Sequence, residues 1–199
     1  MDWTLFHAAN GVLVGRDWLE DPVTGVLGVA VPLYAASTLA LWLLARPYGL
    51  TRWKRATAAA LLSASLALLA NQAIAHLWDR PRPFAVHPLA THLFAAPSTD
   101  PSFPSDHAAA AFAIAVAILA VSRAVGAGFV AAATLIAVSR VVVGLHYPSD
   151  VLAGAAVGTA AALLVTHAGR PAIDLAVRLG SAVTDPLLIR LRRAPPRAN

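Results

Sequence analysis

The sequence predicts an all-α fold: a polytopic membrane helix bundle of five to six transmembrane helices with an N-terminal interfacial helix. Apolar residues make up 58% of the chain and charged residues 13%, whereas soluble domains average about 45–50% and about 25%. The apolar residues are gathered in blocks, several of them near the roughly 20 residues that a helix needs to cross a bilayer. The 199 residues show no internal repeat, so a single membrane-embedded domain is expected.

Residues 1–22 are predicted to form an amphipathic helix. Apolar side chains recur there at helical spacing beside polar ones, namely Trp3, Phe6, Ala9 and Leu13 beside Asp2, Asn10 and Arg16. A helix of this kind lies in the membrane interface. The same pattern is equally compatible with a helix that packs as a cap on the bundle.

Five apolar blocks between residues 23 and 167 are each predicted to be a membrane helix. They cover residues 23–45, 56–77, 108–121, 126–143 and 151–166. The third block is shorter than a helix that crosses the bilayer. Its helix is therefore predicted to begin at Ser105 or Asp106 and to include polar residues that face protein rather than lipid.

Residues 168–199 are predicted to form a basic cytoplasmic segment. Apolar residues are mixed there with frequent charges, and Pro186 interrupts the pattern. A helix on the membrane surface is favoured for this segment. A sixth membrane helix is the alternative.

Basic residues divide the loops into two classes. Lys and Arg are enriched in cytoplasmic loops, and here they cluster between the first two blocks, between the third and the fourth, and after the fifth, at Arg46, Arg52, Lys54, Arg55, Arg123, Arg170, Arg178, Arg190, Arg192, Arg193 and Arg197. These ends are predicted to be cytoplasmic. The loop 78–104 and the turn 144–149 are then expected on the extracytoplasmic side.

The composition also excludes other kinds of partner and site. The formal charge of +5 and the pI near 10.7 are typical of nucleic-acid-binding proteins, but the sequence has no basic stripe with interleaved aromatic residues. No nucleic-acid partner is therefore expected. Because the chain has no cysteine, disulfides and thiolate metal sites are excluded.

Three polar clusters interrupt the apolar chain, and all three fall at predicted helix ends on the same side of the membrane. They are Arg80 with Arg82; Ser105 with Asp106 and His107; and Ser139 and Arg140 with His146 and Asp150. Ionisable residues at membrane helices indicate function by default. The clusters are therefore predicted to form one site.

The arginines and Ser105 indicate a site for phosphate. Guanidinium groups bind phosphate oxygens in a bidentate manner and stay charged, so Arg82 and Arg140 are predicted to hold a phosphoryl group and neutralise its transition state. For Arg80 the alternative is a charge pair with lipid headgroups or with Asp79. Ser105 precedes an apolar helical run, which marks a helix N-cap; an N-cap supplies free N–H groups to an anion but is also an ordinary structural feature.

The histidines indicate a nucleophile and an acid. Asp150 lies four residues after His146, so its carboxylate is predicted to accept a hydrogen bond from one imidazole nitrogen and to leave the other as the nucleophile. His107 is predicted to protonate the leaving oxygen. A metal site formed by His87, His92 and His107 is disfavoured because the neighbouring arginines repel a cation. Neither a metal nor another cofactor is expected.

Together these residues resemble the three-part signature of the type-2 phosphatidic acid phosphatase superfamily. The residues that match are Arg82 with Pro83, the run from Pro104 to His107, and Ser139 and Arg140 with His146 and Asp150. The runs 80–84 and 102–107 further resemble the bacitracin-resistance type of undecaprenyl-diphosphatase.

This resemblance implies a metal-independent lipid diphosphate phosphatase of the bacterial inner membrane, with its site on the extracytoplasmic face. It implies a phosphohistidine at His146, with Asp150 as its partner and His107 as the acid. It implies that the phosphate is held by Arg82, Ser105 and Arg140, with Asp106 lending its backbone N–H and Arg80 a further candidate. The expected partners are a polyprenyl or other lipid phosphate and the membrane lipids, in the recycling of a carrier lipid for cell-wall synthesis.

The chain departs from the superfamily pattern at two positions. The first motif usually opens with a lysine seven residues before the arginine, where this chain has Ala75. Arg80, His76 and Gln72 are the candidates to replace it. Asp106 stands where many members have glycine, and its carboxylate is expected to point away from the phosphate because like charges repel.

Two alternatives to this function stay open. The first is the same chemistry on another lipid, such as phosphatidylglycerol phosphate or phosphatidic acid. The second is a catalytically silent lipid-binding membrane protein, which the missing lysine favours and the intact His107, His146 and Asp150 disfavour.

Overall fold

The computed structural model describes residues 1–45 and 51–193, and within them the chain forms helices and no strand. The helices are α1 (Asp2–Asn10), α2 (Asp17–Leu44), α3 (Arg52–Leu77), α4 (Pro83–Val86), α5 (Asp106–Leu119), α6 (Arg123–Val142), α7 (Pro148–Ala168) and α8 (Arg170–Arg193). Of the basic residues that predict the orientation, Arg46 and Arg197 lie outside the described residues.

The prediction of a membrane helix bundle is confirmed. In the described part of the chain, α2 (from Glu20), α3, α6 and α7 are long and apolar enough to cross a membrane. The shorter apolar helix α5 packs against α3, α6 and α7 and occupies the centre of the bundle. We call the end at which α3 and α6 end and α5 and α7 begin the upper end, and the opposite end the lower end.

Small residues bring α5 and α7 into backbone contact. Every second residue of α5 from Ala109 to Ala117 is buried. On the facing helix, a Cβ atom at Gly154 would overlap the carbonyl oxygen of Ser105, and one at Gly158 would overlap that of Ala109. Small side chains allow membrane helices to approach in this way. The N-termini of α5 and α7 are therefore held side by side at the upper end.

The N-terminal region differs from the single helix predicted over residues 1–22. Helix α1 ends at Asn10, Gly15 adopts a positive φ of 69°, and α2 begins at Asp17. Glycine adopts this conformation without steric cost, so the chain turns between the two helices. Helix α1 packs on α6 and α7, and Phe6 on it is fully buried. It is a cap on the upper end of the bundle.

Helix α8 crosses the lower end instead of running along the bundle. Asp174 pairs with Arg55 at 2.8 Å and Asp185 pairs with Lys54 at 2.7 Å, so two well-separated residues of α8 bond to neighbouring residues of α3. Trp42, near the end of α2, donates Nε1–H to Thr184 at 3.0 Å. This course favours a surface helix over a sixth membrane helix.

Candidate active site

The upper end brings the three predicted polar clusters together. The loop that follows α3 folds back onto the turn between α6 and α7, and backbone hydrogen bonds join the two segments. Phe94 N–H donates to Val143 O at 3.1 Å, and Ser105 N–H donates to Asp150 O at 3.0 Å. The turn itself is closed by Leu145 and His146, whose N–H groups both donate to Arg140 O at 3.1 Å.

His146 is held in one tautomer at the centre of this site. Its side chain is almost completely buried, and its Nδ1 lies 2.8 Å from the carbonyl oxygen of Ser102. A carbonyl oxygen only accepts hydrogen bonds, so Nδ1 carries the proton and Nε2 presents a lone pair. Arg82 Nη1 lies 3.3 Å from Nε2. The unprotonated nitrogen therefore faces a cationic donor.

Asp150 does not make the hydrogen bond predicted for it. Its Oδ2 is 3.8 Å from His146 Nδ1, beyond hydrogen-bond distance. Oδ2 accepts instead from Ser102 Oγ at 2.6 Å and from Tyr147 N–H at 2.8 Å. The carboxylate thus acts on His146 through Ser102, whose backbone carbonyl accepts from the imidazole.

Arg80 is directed at carboxylates rather than at the position predicted for phosphate. Its Nη1 donates to Asp150 Oδ1 at 2.6 Å and to Ser149 Oγ at 2.7 Å, and its Nη2 donates to Asp2 Oδ2 at 2.7 Å. Burial alone would lower the pKa of Arg80, but the hydrogen bonds and charges of Asp2 and Asp150 outweigh burial and raise it. Arg80 therefore bonds to residues that surround the site and is not directed at the predicted phosphate.

Arg82 is bonded to neutral groups. Its Nε donates to Asp100 O at 2.8 Å and its Nη1 to Leu145 O at 3.2 Å, and only 8% of the residue is exposed. Burial lowers the pKa of Arg82, while the more distant charges of Asp100, Asp150 and Asp106 oppose this shift. Arginine still remains protonated, so a buried positive charge stands beside His146 Nε2.

Ser105 and Asp106 occupy the first turn of α5. Ser105 is the N-cap, and its Oγ is buried without a hydrogen-bond partner in the described structure. Buried polar atoms are seldom left unpaired, and an N-cap hydroxyl beside free N–H groups suits an anion. The Asp106 carboxylate accepts from Asn71 Nδ2 at 2.8 Å and from Gln72 Nε2 at 3.4 Å. It is therefore turned towards α3.

His107 lies among the charged residues of the site. The side chains of Arg140, His146, Asp106 and Arg82 lie around its imidazole. His107 and Asp106 also border a cavity of about 300 Å³ whose other lining residues are apolar apart from Tyr34 and come from α2, α3, α5 and α6. This histidine therefore lies between the polar cluster and a path into the membrane layer.

Arg140 lies in the last turn of α6, and its Nε donates to Ser139 Oγ at 3.1 Å. Of the candidates to replace the lysine missing at Ala75, Arg80 is bound to carboxylates and Gln72 to Asp106. His76 is exposed in the last turn of α3. Among the described residues, no group of three or more His, Asp or Glu side chains is arranged to hold a metal ion.

The sequence analysis missed the roles of Ser102, Ser149 and Asp2. Ser102 acts through both its hydroxyl and its carbonyl oxygen, and the carbonyl has no side-chain signature. Asp2 looked like one polar residue of an amphipathic helix, and its contact with Arg80 depends on how α1 packs. Only the position of Ser102, next to the second cluster, offered a signal.

Comparisons with known proteins identify the family of the chain. The family model described as the PAP2 superfamily matches residues 56–173. The chain is 32% identical over 190 residues to a protein of Bacillus subtilis (strain 168) named undecaprenyl-diphosphatase BcrC, and the match covers 94% of this chain and 95% of that protein.

Two solved structures share the fold. LpxE from Aquifex aeolicus superimposes with a TM-score of 0.67 at 22% identity and covers 83% of this chain and 94% of its own. A PAP2-type phosphatidylglycerolphosphate phosphatase from Bacillus subtilis superimposes with a TM-score of 0.58 at 23% identity and covers 82% of this chain and 84% of its own.

Proposed function

The chain belongs to the PAP2 superfamily and is a membrane-embedded lipid phosphatase, and from this premise we propose that it converts undecaprenyl diphosphate to undecaprenyl phosphate and inorganic phosphate through a phosphohistidine at His146. One observation supports this proposal above the others. Ser102 O accepts the Nδ1 proton of His146, while Nε2 faces Arg82. The imidazole is thereby prepared to attack a phosphorus atom bound by the arginine.

In the first step, His146 Nε2 attacks the terminal phosphorus and the bond to the bridging oxygen breaks. Arg82, Arg140 and the Ser105 N-cap bind the non-bridging oxygens and neutralise the charge that develops on them. His107 gives its proton to the departing lipid phosphate. The products of this step are lipid phosphate and phosphohistidine.

In the second step, water replaces the histidine. His107, now unprotonated, removes a proton from the attacking water, and the phosphorus–nitrogen bond breaks to release inorganic phosphate. His146 returns to its starting tautomer because Ser102 O keeps the proton on Nδ1. Each residue ends the cycle in the state in which it began.

The substrate assignment is supported by the relative named undecaprenyl-diphosphatase, which matches nearly the whole chain, and by the apolar cavities. The cavity beside His107 has a volume of about 300 Å³, and a second of about 660 Å³ lies between α2 and α6 and is bordered by Ser139 and Val142 near the upper end. Apolar grooves that end at a polar site suit a lipid whose phosphate is bound and whose tail stays in the membrane.

The proposed location is the bacterial inner membrane with the site on the extracytoplasmic face. Arg52, Lys54 and Arg55 begin α3 at the lower end, and Arg123 begins α6 at the same end. Because cytoplasmic ends are enriched in basic residues, the lower end is assigned to the cytoplasm. The site at the upper end then meets undecaprenyl diphosphate outside.

The test is phosphate release by the detergent-purified protein from undecaprenyl diphosphate and, in parallel, from phosphatidylglycerol phosphate, each with and without EDTA. We expect the higher kcat/KM for undecaprenyl diphosphate and no effect of EDTA, because arginines supply the positive charge at the phosphate. A preference for phosphatidylglycerol phosphate would reassign the substrate. Absence of turnover on both, with the protein folded, would favour the silent lipid-binding alternative.

A further inference from the structure

Helix α1 takes no part in the chemistry described above, yet it is bonded to both segments that build the site. One segment is the loop between α3 and α5, which supplies Arg82 and Ser102. The other is the turn between α6 and α7, which supplies His146. The contacts of α1 with them are polar at both of its ends and apolar in between.

At the C-terminal end of α1, Asn10 joins the two segments directly. The residue is buried, with 1% of its surface exposed. Its amide exchanges two hydrogen bonds with the backbone of His92, donating to O at 2.7 Å and accepting from N–H at 2.9 Å. It also donates to Val142 O at 2.9 Å. One side chain thus satisfies the backbone of the loop and the end of α6 together.

At the N-terminal end of α1, Asp2 completes a chain of hydrogen bonds that leads to His146. Its carboxylate accepts from Arg80 at 2.7 Å, from Ser149 N–H at 3.1 Å and from Ser149 Oγ at 2.5 Å. Arg80 donates in turn to Asp150, and Asp150 accepts from Ser102. Ser102 O finally accepts the imidazole proton of His146.

Aromatic contacts hold the middle of α1 against the same two segments. Phe6 packs against Tyr147 with ring centroids 5.6 Å apart, and Trp3 lies 3.9 Å from the His87 ring. The Arg80 guanidinium lies over the Tyr147 ring at 4.1 Å.

The Asp2 carboxylate is ionised. Burial alone would raise the pKa of Asp2, but the hydrogen bonds from Ser149 and Arg80 outweigh burial and lower it.

We propose that α1 is a clasp over the active site and that Asp2 is a positioning residue, which orients Asp150 through Arg80 and Ser149 and thereby holds His146 for attack. This inference rests on the proposed role of His146. In Asp2→Asn, Arg80 loses one of its two anionic partners, and one amide oxygen replaces the two carboxylate oxygens that accept from Arg80 and Ser149. Asp150 and Ser102 then lose a fixed geometry, although no group that touches the phosphate has been removed.

The test compares Asp2→Asn with Asp79→Asn. Both substitutions remove one negative charge near Arg80, but Asp79 is exposed and lies outside the chain of hydrogen bonds. We expect Asp2→Asn to lower kcat by about 10- to 100-fold, up to the loss that a misplacement of about 1 Å can cause, with KM little changed. Asp79→Asn is expected to leave both constants near those of the wild type, and Asp2→Glu to recover part of the loss.

A second measurement needs no substrate. Backbone hydrogen exchange of the peptide 145–151 is expected to accelerate in Asp2→Asn and not in Asp79→Asn, while exchange in α5 stays unchanged. This measurement tests the clasp independently of the proposed reaction, because its outcome does not depend on whether undecaprenyl diphosphate is the substrate. Unchanged exchange at 145–151 in Asp2→Asn overturns the clasp, whatever the turnover.

A double-mutant cycle tests the route through Arg80. In an Arg80→Gln background, Asp2→Asn is expected to cost little more, because the residue through which it acts has been removed. Multiplicative losses in the double variant would show that Asp2 acts independently of Arg80. A fall in the thermal midpoint with kcat unchanged would show that Asp2 only stabilises the fold, and positioning would be withdrawn.

Discussion

Each end of the bundle holds a group of buried charges, and the two groups differ in how they are paired. At the lower end, Lys54 Nζ donates to both oxygens of Asp185 at 2.7 and 2.8 Å and to Ser181 Oγ at 3.0 Å. Both charged side chains are fully buried. An ammonium group has three donors, and here all three have acceptors inside the protein.

At the upper end, Arg80 is paired with Asp2 and Asp150, but Arg82 and Arg140 have no carboxylate among their hydrogen-bond partners in the described part of the chain. The described acceptors of Arg82 are backbone carbonyls, and Arg140 donates to a neighbouring hydroxyl. The nearby carboxylates of Asp150 and Asp106 are turned to other partners. Charges buried without a counter-ion are costly, so the upper end is arranged for an anion from outside. We infer that the closed group, Lys54 with Asp185, stabilises the fold, whereas the open group of Arg82, Arg140 and His146 forms the proposed substrate site.

The largest expected effect is that of His146→Ala, which removes the proposed nucleophile from the open group. Turnover should vanish and no acid-labile phosphoenzyme should form, because no other described residue presents an unprotonated nitrogen to Arg82. The measurement is single-turnover phosphorylation with radiolabelled lipid diphosphate. A residual rate above roughly one tenth of wild type, against the several orders of magnitude that a nucleophile contributes, would mean that another residue is the nucleophile.

His107→Gln should have an effect that depends on the leaving group. From a lipid monophosphate the leaving group is a basic alkoxide, whereas from a diphosphate it is a phosphate with a second pKa near 6 by analogy with phosphorylated side chains. We expect a loss of about 10²–10⁴-fold on monophosphates and a much smaller one on undecaprenyl diphosphate. Equal losses in single-turnover measurements would show that His107 binds phosphate and is not the acid.

Arg140→Gln should separate activity from stability at the open end. Removing one donor to the transition state costs about 10²–10³-fold in kcat, while the thermal midpoint should hold or rise because a half-buried charge without a carboxylate partner has been removed. Both quantities are measured on the same purified variant. A marked fall in the midpoint with kcat preserved would show that Arg140 is a structural residue. The two ends would then not differ in function as we infer.

Lys54→Met, at the closed end, should lower the stability and leave the activity unchanged. It leaves Asp185 buried without its cation, which costs about 3–5 kcal/mol of stability. The double variant Lys54→Met with Asp185→Leu should recover most of this loss. The kcat of the folded fraction should equal that of the wild type in both. Reduced kcat in the double variant, with its stability restored, would indicate that the lower end also serves the reaction.

Features that depend on local sequence were predicted correctly, and features that depend on contacts between distant segments were not. Helices α3, α6 and α7 were predictable because a membrane-crossing helix has a required length and composition. The turn at Gly15 was not, because an amphipathic pattern continues across it. The positions of the polar clusters at predicted helix ends also indicated that they would lie together, as Arg82 and His146 do.

The errors at the site have a common physical cause. Asp150 was assigned to His146 because the two residues are four apart, but spacing along a helix end does not show which of several donors reaches a carboxylate first. Ser102 and Arg80 do so here, and both arrive from the loop after α3. The conformation of that loop depends on tertiary contacts, including those with α1, and therefore has no local signature.

The backbone contact between α5 and α7 bears on how the protein responds to the mechanics of its bilayer. Membrane thickness and lateral pressure change how helices tilt and separate, but helices that meet at Gly154 and Gly158 have no side-chain layer between them to compress. Only 18% of the apolar stretch of helix α2 is buried within the protein, so most of that stretch faces lipid. His107 and His146 can thus keep their spacing in membranes of different composition, while the wall of the lipid path adapts to each.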